Sequence, residues 1–323
     1  MKIAIDAGGL CAASGQRFGN YIFSYNLIQA ILNYDKNNYY ALYSLCQKPA
    51  ELQMTGLSDY RILLPRRLWM KARVSLEEFL QNSHVFLALN QAIPLYTRAK
   101  IIAFSHGLSY RYFPHYYRDI FFRMSIYLGE MTRRADAIIV SSRRVKREMA
   151  ELFSENKNVH VIPFGVPVDM ANCLNSRRPW GNKAKYFLAV GMNHPIKNFQ
   201  FLKKIMTEFP GYKLYMVNSA TRAELKNLYA DASALLTASH YESFNLPVLE
   251  ALSVGTPVVG LHSAIIPELA SYVNVANDKY DFVEKVQKVL KGEGVKFDSK
   301  TIVRKFSWKH YISELTKLYN NRK

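Results

Sequence analysis

Short apolar runs alternate with longer segments of helical spacing along nearly the whole chain, which predicts an α/β protein built on parallel sheets. Lys2–Asp6 reads as a strand, and Asn20–Leu32 as a helix with Tyr21, Tyr25, Ile28 and Leu32 at helical spacing. Tyr39–Leu45, Arg61–Leu64, Val85–Leu89, Lys100–Phe104, Ala137–Ser141 and Val159–Pro163 read as further strands. Helices are predicted over Arg67–Leu80, with Leu68, Ala72, Leu76 and Leu80 on one stripe, and over Arg118–Arg134. Another is capped by Ser142 and carries Val145, Met149 and Leu152 on one face. Phe164–Lys185, with Gly165, Pro167, Pro179 and Gly181 and little periodicity, reads as an interdomain linker.

A second alternation follows the linker. Strand Tyr186–Val190, loop Gly191–Asn198, helix Phe199–Glu208, strand Lys213–Val217 and helix Arg222–Ala230 come first. A strand ending at Thr237 then leads into the polar loop His240–Ser243. Asn245 is a good N-cap, Pro247 fits a first helical turn, Gly255 closes that helix, and Thr256–Gly260 is a β-branched strand. Helices are predicted to start at Ile266–Leu269 and to span Asp278–Lys291 and Ser307–Tyr319. Two such series imply two doubly wound, Rossmann-like domains facing each other across a cleft. The expected bounds are 1–165, with the helix of 306–323 packing back on that domain, and 183–305.

Composition fits this layout. At 323 residues and 49% hydrophobic, the chain has material for two cores. No apolar run approaches the length of a membrane span, and the first residues run straight into a strand pattern, so a cytoplasmic protein is expected. Cys11, Cys46 and Cys173 are scattered without metal-ligand spacing; burial as small apolar side chains is the expected fate of all three. The net charge of +18 points to anionic partners. Between Arg98 and Arg147 stand eleven Lys or Arg against Asp119, Glu130 and Asp136, interleaved with aromatic residues such as Tyr112, Tyr116 and Phe122. That mixture suits an anionic membrane surface or a nucleic acid, or else a solvated helix face over core aromatics. No RRM, KH, zinc or helix-turn-helix signature supports the nucleic acid.

The stretch Thr237–Gly260 concentrates the candidate chemistry. Glu242 and Glu250 stand eight residues apart around a helix start that follows a strand, where α/β sheets bind anionic ligands. Glycines 8, 9, 15 and 19 form a loop between the first strand and helix, open enough for backbone N–H groups to meet an anion. The spacing matches neither a dinucleotide fingerprint nor a P-loop, and an ordinary flexible loop is the equal alternative. His106, at a strand end before Gly107, is placed either to touch a ligand or to serve the core.

These residues resemble the retaining glycosyltransferases of family 4, the group 1 glycosyl transferases with the GT-B fold. Glu242-Ser-Phe-Asn-Leu-Pro-Val-Leu-Glu250, followed by Gly255-Thr-Pro-Val-Val259, is similar to the family's E-x7-E element. Arg134–Ser142, Val161–Val166, Val190-Gly191 with Lys197-Asn198, Leu225–Ala232, Ile266–Leu269 and Phe306–Trp308 match in the family's order. The resemblance implies that Glu250 holds the ribose of a nucleotide diphosphate sugar and Glu242 reaches the transferred sugar. It implies that the amides of Phe244, Asn245 and Leu246 meet the diphosphate, with Gly191 and Gly19 at further donor-binding positions. It gives Lys197 the charge building on the leaving diphosphate and places His106 near the donor sugar.

The expected reaction is hexose transfer, with retention and without metal or other cofactor, from a GDP-mannose or UDP-hexose type donor to a hydroxyl acceptor. A glycan or a lipid-linked sugar would serve as acceptor, with peripheral membrane contact through residues 98–147. The chain departs from the family pattern at Met192 and Ile196, where members carry arginine, and at Asn245, where a glycine is common. It is also shorter than usual between Tyr212 and Leu225. A degenerate fold acting as a non-catalytic partner subunit, or a sugar-nucleotide epimerase, are the rival expectations.

Overall fold

The protein's structure, a computed structural model, describes residues 1–11, 19–153, 158–171 and 184–320. The chain divides into two compact units. Met1–Ser141, Val145–Pro163 and Trp308–Lys323 form the first, and Ser142–Arg144 with Phe164–Ser307 the second.

The first unit is a parallel sheet of β1 (Lys2–Asp6), β2 (Tyr39–Ser44), β3 (Ser58–Ile62), β4 (Val85–Ala88), β5 (Lys100–Ser105), β6 (Ala137–Val140) and β7 (Val159–Val161). Their order is β3-β2-β1-β4-β5-β6-β7. Its helices are α1 (Gly19–Tyr34), α2 (Val74–Gln81), α3 (Ser109–Tyr112), α4 (Arg118–Arg134) and α5 (Arg143–Leu152). β4 and β6 are buried from end to end, which is why they read as unbroken apolar runs rather than alternating ones.

In the second unit β8 (Ala184–Val190), β9 (Lys213–Val217), β10 (Ala232–Thr237), β11 (Val258–Leu261) and β12 (Asn274–Ala276) lie parallel in the order β12-β11-β10-β8-β9. Its helices are α6 (Val168–Ala171), α7 (Phe199–Ile205), α8 (Arg222–Asp231), α9 (Leu246–Ser253), α10 (Lys279–Leu290) and α11 (Ser299–Lys305). The closing helix α12 (Trp308–Asn320) belongs to the first unit. There the Trp308 ring lies 6.4 Å from Phe23 of α1, and Lys100 Nζ donates to the Leu318 carbonyl at 2.7 Å. Strand order reverses between β1 and β4 in one sheet and between β8 and β10 in the other. Such switch points leave an opening at the carboxyl ends of the strands.

Several expectations need correcting. The third strand is Ser58–Ile62 rather than Arg61–Leu64, and Ile266–Leu269 starts no helix, only the turn before a 3-10 segment at Ala270–Tyr272. β12 and α11 were not foreseen, since the first is only Asn274–Ala276 and the second offers one fully buried apolar residue, Ile302. Leu152 is exposed rather than on the buried face of α5. Cys11 and Cys46 are joined in a disulfide, Cα atoms 5.6 Å apart, tying the turn after β1 to the end of β2. Cys173 and Gly15 lie outside the described residues.

The largest correction concerns residues 67–81. Trp69–Arg73 forms a π-helical turn that leads directly into α2. Trp69, Met70 and Val74 enter the core, while Leu68, Ala72, Leu76 and Leu80 keep to one stripe that faces outward. α2 is held by its carboxylates instead. Glu78 is buried and accepts from Tyr43 Oη at 3.0 Å, Ser83 Oγ at 2.9 Å and Thr97 Oγ1 at 2.8 Å. Glu77 pairs with Arg61 Nη1 at 2.8 Å and Arg73 Nη1 at 3.0 Å. Burial pushes the Glu78 carboxyl up, and its three hydroxyl donors pull it back.

This arrangement predicts opposite costs for neighbouring substitutions. Glu78→Ala orphans three hydroxyls, those of Tyr43 and Ser83 buried, and should destabilise by about 2–4 kcal/mol, whereas Leu76→Ser should fall within about 0.5 kcal/mol. Thermal unfolding of the two variants checks this, and a large loss from Leu76→Ser would show that the stripe is packed.

Candidate active site

The second-unit site is built at the β8/β10 switch point. β8 ends at Val190 and is followed by Gly191, whose N–H donates to the Val217 carbonyl at 3.0 Å. A Cβ on Gly191 would lie 3.1 Å from Lys197 Cε and 3.2 Å from Cδ, so glycine leaves the lane in which the lysine stem lies. Pro195–Lys197 is a 3-10 turn, capped when the His194 side chain accepts from Ile196 N. The Ile196 carbonyl accepts from His240 N at 2.8 Å, linking that turn to the loop after β10. Lys197 Nζ consequently donates to Glu242 Oε1 at 2.6 Å, with both side chains mostly shielded.

Helix α9 begins three residues beyond Ser243. Asn245 takes a left-handed backbone, φ 67°, which asparagine tolerates better than other non-glycine residues. This explains how it stands where the family prefers glycine. Its side chain does not cap the helix as expected; Nδ2 donates to the Ala264 carbonyl at 3.0 Å and to Thr237 Oγ1 at 3.3 Å. Phe244 is buried against Phe164, ring centroids 4.8 Å apart, which fixes the backbone leading into α9. Leu246 is the first helical residue, followed by Pro247, so the amides of 244–246 stand at the positive end of the helix.

Glu250 lies one turn further along α9 and is buried, with 3% of its surface exposed. Oε1 accepts from Arg222 Nη2 at 2.7 Å and Oε2 from Tyr229 Oη at 2.9 Å. Arg222 also pairs with Asp169 through Nε at 2.8 Å and Nη2 at 3.3 Å. Burial pushes the Glu250 carboxyl above its ordinary range, while Arg222 and then Tyr229 pull it down.

Arg222, Tyr229 and Asp169 were missed from the sequence, and so was Arg144. The Arg144 guanidinium donates to the carbonyls of Glu242 (3.2 Å), Ser263 (2.7 Å), His262 (3.1 Å) and Ile265 (2.6 Å), and Ser142 Oγ to that of Ser243 at 2.7 Å. These bonds pin the loop that carries Glu242. A signal was available for both arginines. Arg222 is the first residue of α8, after a Thr221/Glu224 capping box, and Arg144 the second of α5. A cation there opposes the helix dipole unless something outside the helix holds it.

Gly19 and His106 belong to the first unit. Gly19 is exposed at the start of α1, and a Cβ there would touch none of the described residues within 4 Å, so packing against them does not demand glycine. Gly9 is different: its Cβ would meet Ser24 Oγ at 2.4 Å. Beside it, buried Asp6 accepts from Gly8 N at 2.9 Å, Asn90 Nδ2 at 2.8 Å and Asn90 N at 3.2 Å. Burial pushes its carboxyl up to about 6 against the pull of these donors. His106 lies 2.6 Å from the Leu89 carbonyl through Nε2, so that nitrogen carries the proton and Nδ1 presents a lone pair. Burial lowers its pKa and favours the neutral ring. Among the described residues, no three His, Cys, Asp or Glu side chains come together as a metal site.

The structure thus brings Gly191, Lys197, Glu242 and the α9 start into one neighbourhood and gives Glu250 its own ion-paired cluster. The chain matches the Glycosyltransferase Family 4 domain over residues 61–170 and the Glycosyl transferases group 1 domain over residues 181–306. It is 25% identical over 244 residues to the O-antigen chain mannosyltransferase RfbU of Salmonella typhimurium, covering 65% of this chain and 66% of that protein. It is 40% identical over 58 residues to O-antigen chain mannosyltransferase B of Escherichia coli, covering 18% and 15%. The matched parts therefore span less than two thirds of each relative's length.

Among solved structures, sucrose-phosphate synthase from Thermosynechococcus elongatus superposes with a TM-score of 0.74 at 16% identity, over 98% of both chains. WaaG, a glycosyltransferase involved in lipopolysaccharide biosynthesis, gives 0.71 at 11% identity over the whole of both chains. HepE from Anabaena, solved with UDP and glucose, gives 0.70 at 12% identity over 99% of each. Two doubly wound parallel sheets, the E-x7-E element on its switch-point loop and these matches converge: the chain belongs to the group 1 glycosyl transferases of glycosyltransferase family 4, with the GT-B fold.

Proposed function

We propose that the protein is a retaining hexosyltransferase, taking its sugar from a GDP-mannose or UDP-hexose type donor and delivering it to a hydroxyl of a glycan or lipid-linked acceptor. The observation that carries this reading is the Lys197–Glu242 pair laid over Gly191 beside the start of α9. A lysine, a helix N-terminus and a carboxylate in one place suit a diphosphate joined to a polyhydroxyl group. Mannosyl transfer by the curated relatives, and the UDP and glucose bound by a protein of the same fold, support the donor class.

In this reaction the bond from the sugar's anomeric carbon to the diphosphate breaks and a bond to the acceptor oxygen forms on the same face. The acceptor proton passes to the departing phosphate. Lys197 and the amides of 244–246 take the charge that builds there, the service a metal ion performs elsewhere. Glu242, relieved of Lys197, is free to accept hydroxyls of the transferred sugar, and Glu250 accepts those of the ribose. In the first unit, neutral His106 offers Nδ1 as an acceptor for a sugar hydroxyl, with Gly19 at the start of α1 as a position of close backbone approach. The acceptor docks on the first unit, and the basic and aromatic residues 98–147 favour one presented at a membrane.

Calorimetric titration with UDP, GDP, dTDP and their sugars tests the donor class, one nucleotide standing out; silence toward all of them would favour a non-catalytic subunit. Lys197→Ala should lower kcat by about 100- to 1,000-fold with a smaller change in KM, the cost of one donor to developing charge. Glu250→Ala should weaken donor binding by about 10- to 100-fold, the worth of hydrogen bonds to a charged group.

The pH dependence has a definite sign. Burial raises the Glu250 carboxyl, so donor affinity should fall on acidification already above the ordinary carboxylate range. Arg222 is the leading influence holding that carboxyl down, so Arg222→Gln should move the acid limb to higher pH, with Arg222→Lys moving it less. An acid limb that stays in place in Arg222→Gln would remove Glu250 as the titrating group.

A further inference from the structure

We propose that the outer face of α2, with the turns at Leu64–Leu68 and Leu95–Arg98 beside it, docks on an anionic lipid bilayer. On α2 the usual order is inverted. Leu76, Phe79 and Leu80 are 53%, 62% and 64% exposed, while Glu77 and Glu78 point inward and are spent on Arg61, Arg73 and three hydroxyls. Spacing of i, i+3 and i+4 makes those three apolar side chains one stripe along the helix. Leu64, Leu68 and Leu95 extend it at 59%, 66% and 68% exposure.

The pieces are joined. Phe79 and Tyr96 rings lie 5.9 Å apart, Tyr96 N donates to Ser75 Oγ at 3.1 Å, and Arg73 Nε to the Leu64 carbonyl at 3.1 Å. An apolar face of this kind on a water-exposed helix needs a partner.

Charge selects which partner. From Arg61 to Arg98 the only carboxylates are Glu77 and Glu78, both buried, whereas Arg66, Arg67 and Arg98 are exposed. Within that segment the exposed charges are therefore all cationic. A second copy of this chain would bring the same cations against themselves, while an anionic lipid surface offers both an apolar interior and the opposite charge. Helix α4, tied to the turn before α2 through Lys71, carries exposed apolar residues of its own. It exposes Phe122 and Ile126, and its Glu130 is paired with Lys71, whose ammonium also lies 5.8 Å from the Tyr127 ring centroid. The centre of the surface is thus α2, and residues 98–147 contribute chiefly through α4.

This surface does not rest on the donor reading, and one set of variants separates the two. Flotation is measured with vesicles of phosphatidylcholine alone and with phosphatidylglycerol added, on the full chain. Wild type should float with the anionic vesicles at low salt. Leu76→Ser/Phe79→Ser should lose about tenfold or more in partitioning. Arg66→Gln/Arg67→Gln should lose about fivefold per residue, and only on anionic vesicles. Both variants should keep the wild-type melting temperature and nucleotide binding, which shows that the loss is one of docking. The proposal is overturned if wild type ignores both vesicles, if the Leu76/Phe79 variant floats like wild type, or if that variant instead dissolves a lipid-free dimer in sedimentation velocity.

Discussion

A buried carboxylate needs a partner at all times, and in the second unit Glu250 and Glu242 each have a cation on them: Arg222 at 2.7 Å and Lys197 at 2.6 Å. Breaking one side of a buried pair typically costs about 3–5 kcal/mol if nothing takes its place. Under the proposed reaction, donor binding is therefore an exchange rather than an addition. A diphosphate must draw Lys197 away while sugar hydroxyls take over at Glu242, and a ligand bringing only one of the two groups leaves a charge uncompensated. Under that reaction the same pairing would also act as a filter for a complete nucleotide sugar.

The exchange depends on a loop that stays in place while its partners change. Arg144 holds four carbonyls of two turns, Asn245 bridges β10 to Ala264, and Ser263 Oγ donates to the Ser239 carbonyl at 2.7 Å. None of these bonds uses the carboxylate of Glu242. The framework is fixed through main-chain groups, which leaves that side chain as the movable part.

Much of this was legible in the sequence because it follows from local rules. Parallel strands buried on both faces read as apolar runs, and α4 was bounded at Arg118 and Arg134 because its spacing is regular. Glu242, Glu250 and Lys197 stood out through motif and order. The illegible parts are those where tertiary partners override local pattern. Arg222 looks like a surface residue until Glu250 and Asp169, 28 and 53 residues away in sequence, are seen against it. Arg144 is similar, since its acceptors are backbone carbonyls that have no sequence signature at all. Cys11 and Cys46 lacked a recognisable spacing because their pairing is set by the adjacency of β1 and β2. The stripe on residues 68–80 failed for another reason: its four residues do share one face, but periodicity alone cannot show on which side of a helix the core lies.

The outward stripe on α2 and the second-unit site follow one rule for charge. In the second unit, cations at helix starts turn inward to carboxylates and carbonyls; on α2, carboxylates turn inward and leave leucines and arginines outside. In both places burial of a charge is tolerated only because hydrogen-bonding partners surround it. The net charge of +18 is accordingly not a uniform coat. Acidic residues are consumed in internal pairs such as Glu77–Arg61, Glu130–Lys71 and Glu250–Arg222, so the cations left over are those without a carboxylate to answer them. Arg66, Arg67 and Arg98 are of this kind, exposed in the turns that flank α2 in the chain. An excess of positive charge becomes a directional feature only where the neighbouring carboxylates have been turned inside, and residues 61–98 meet that condition.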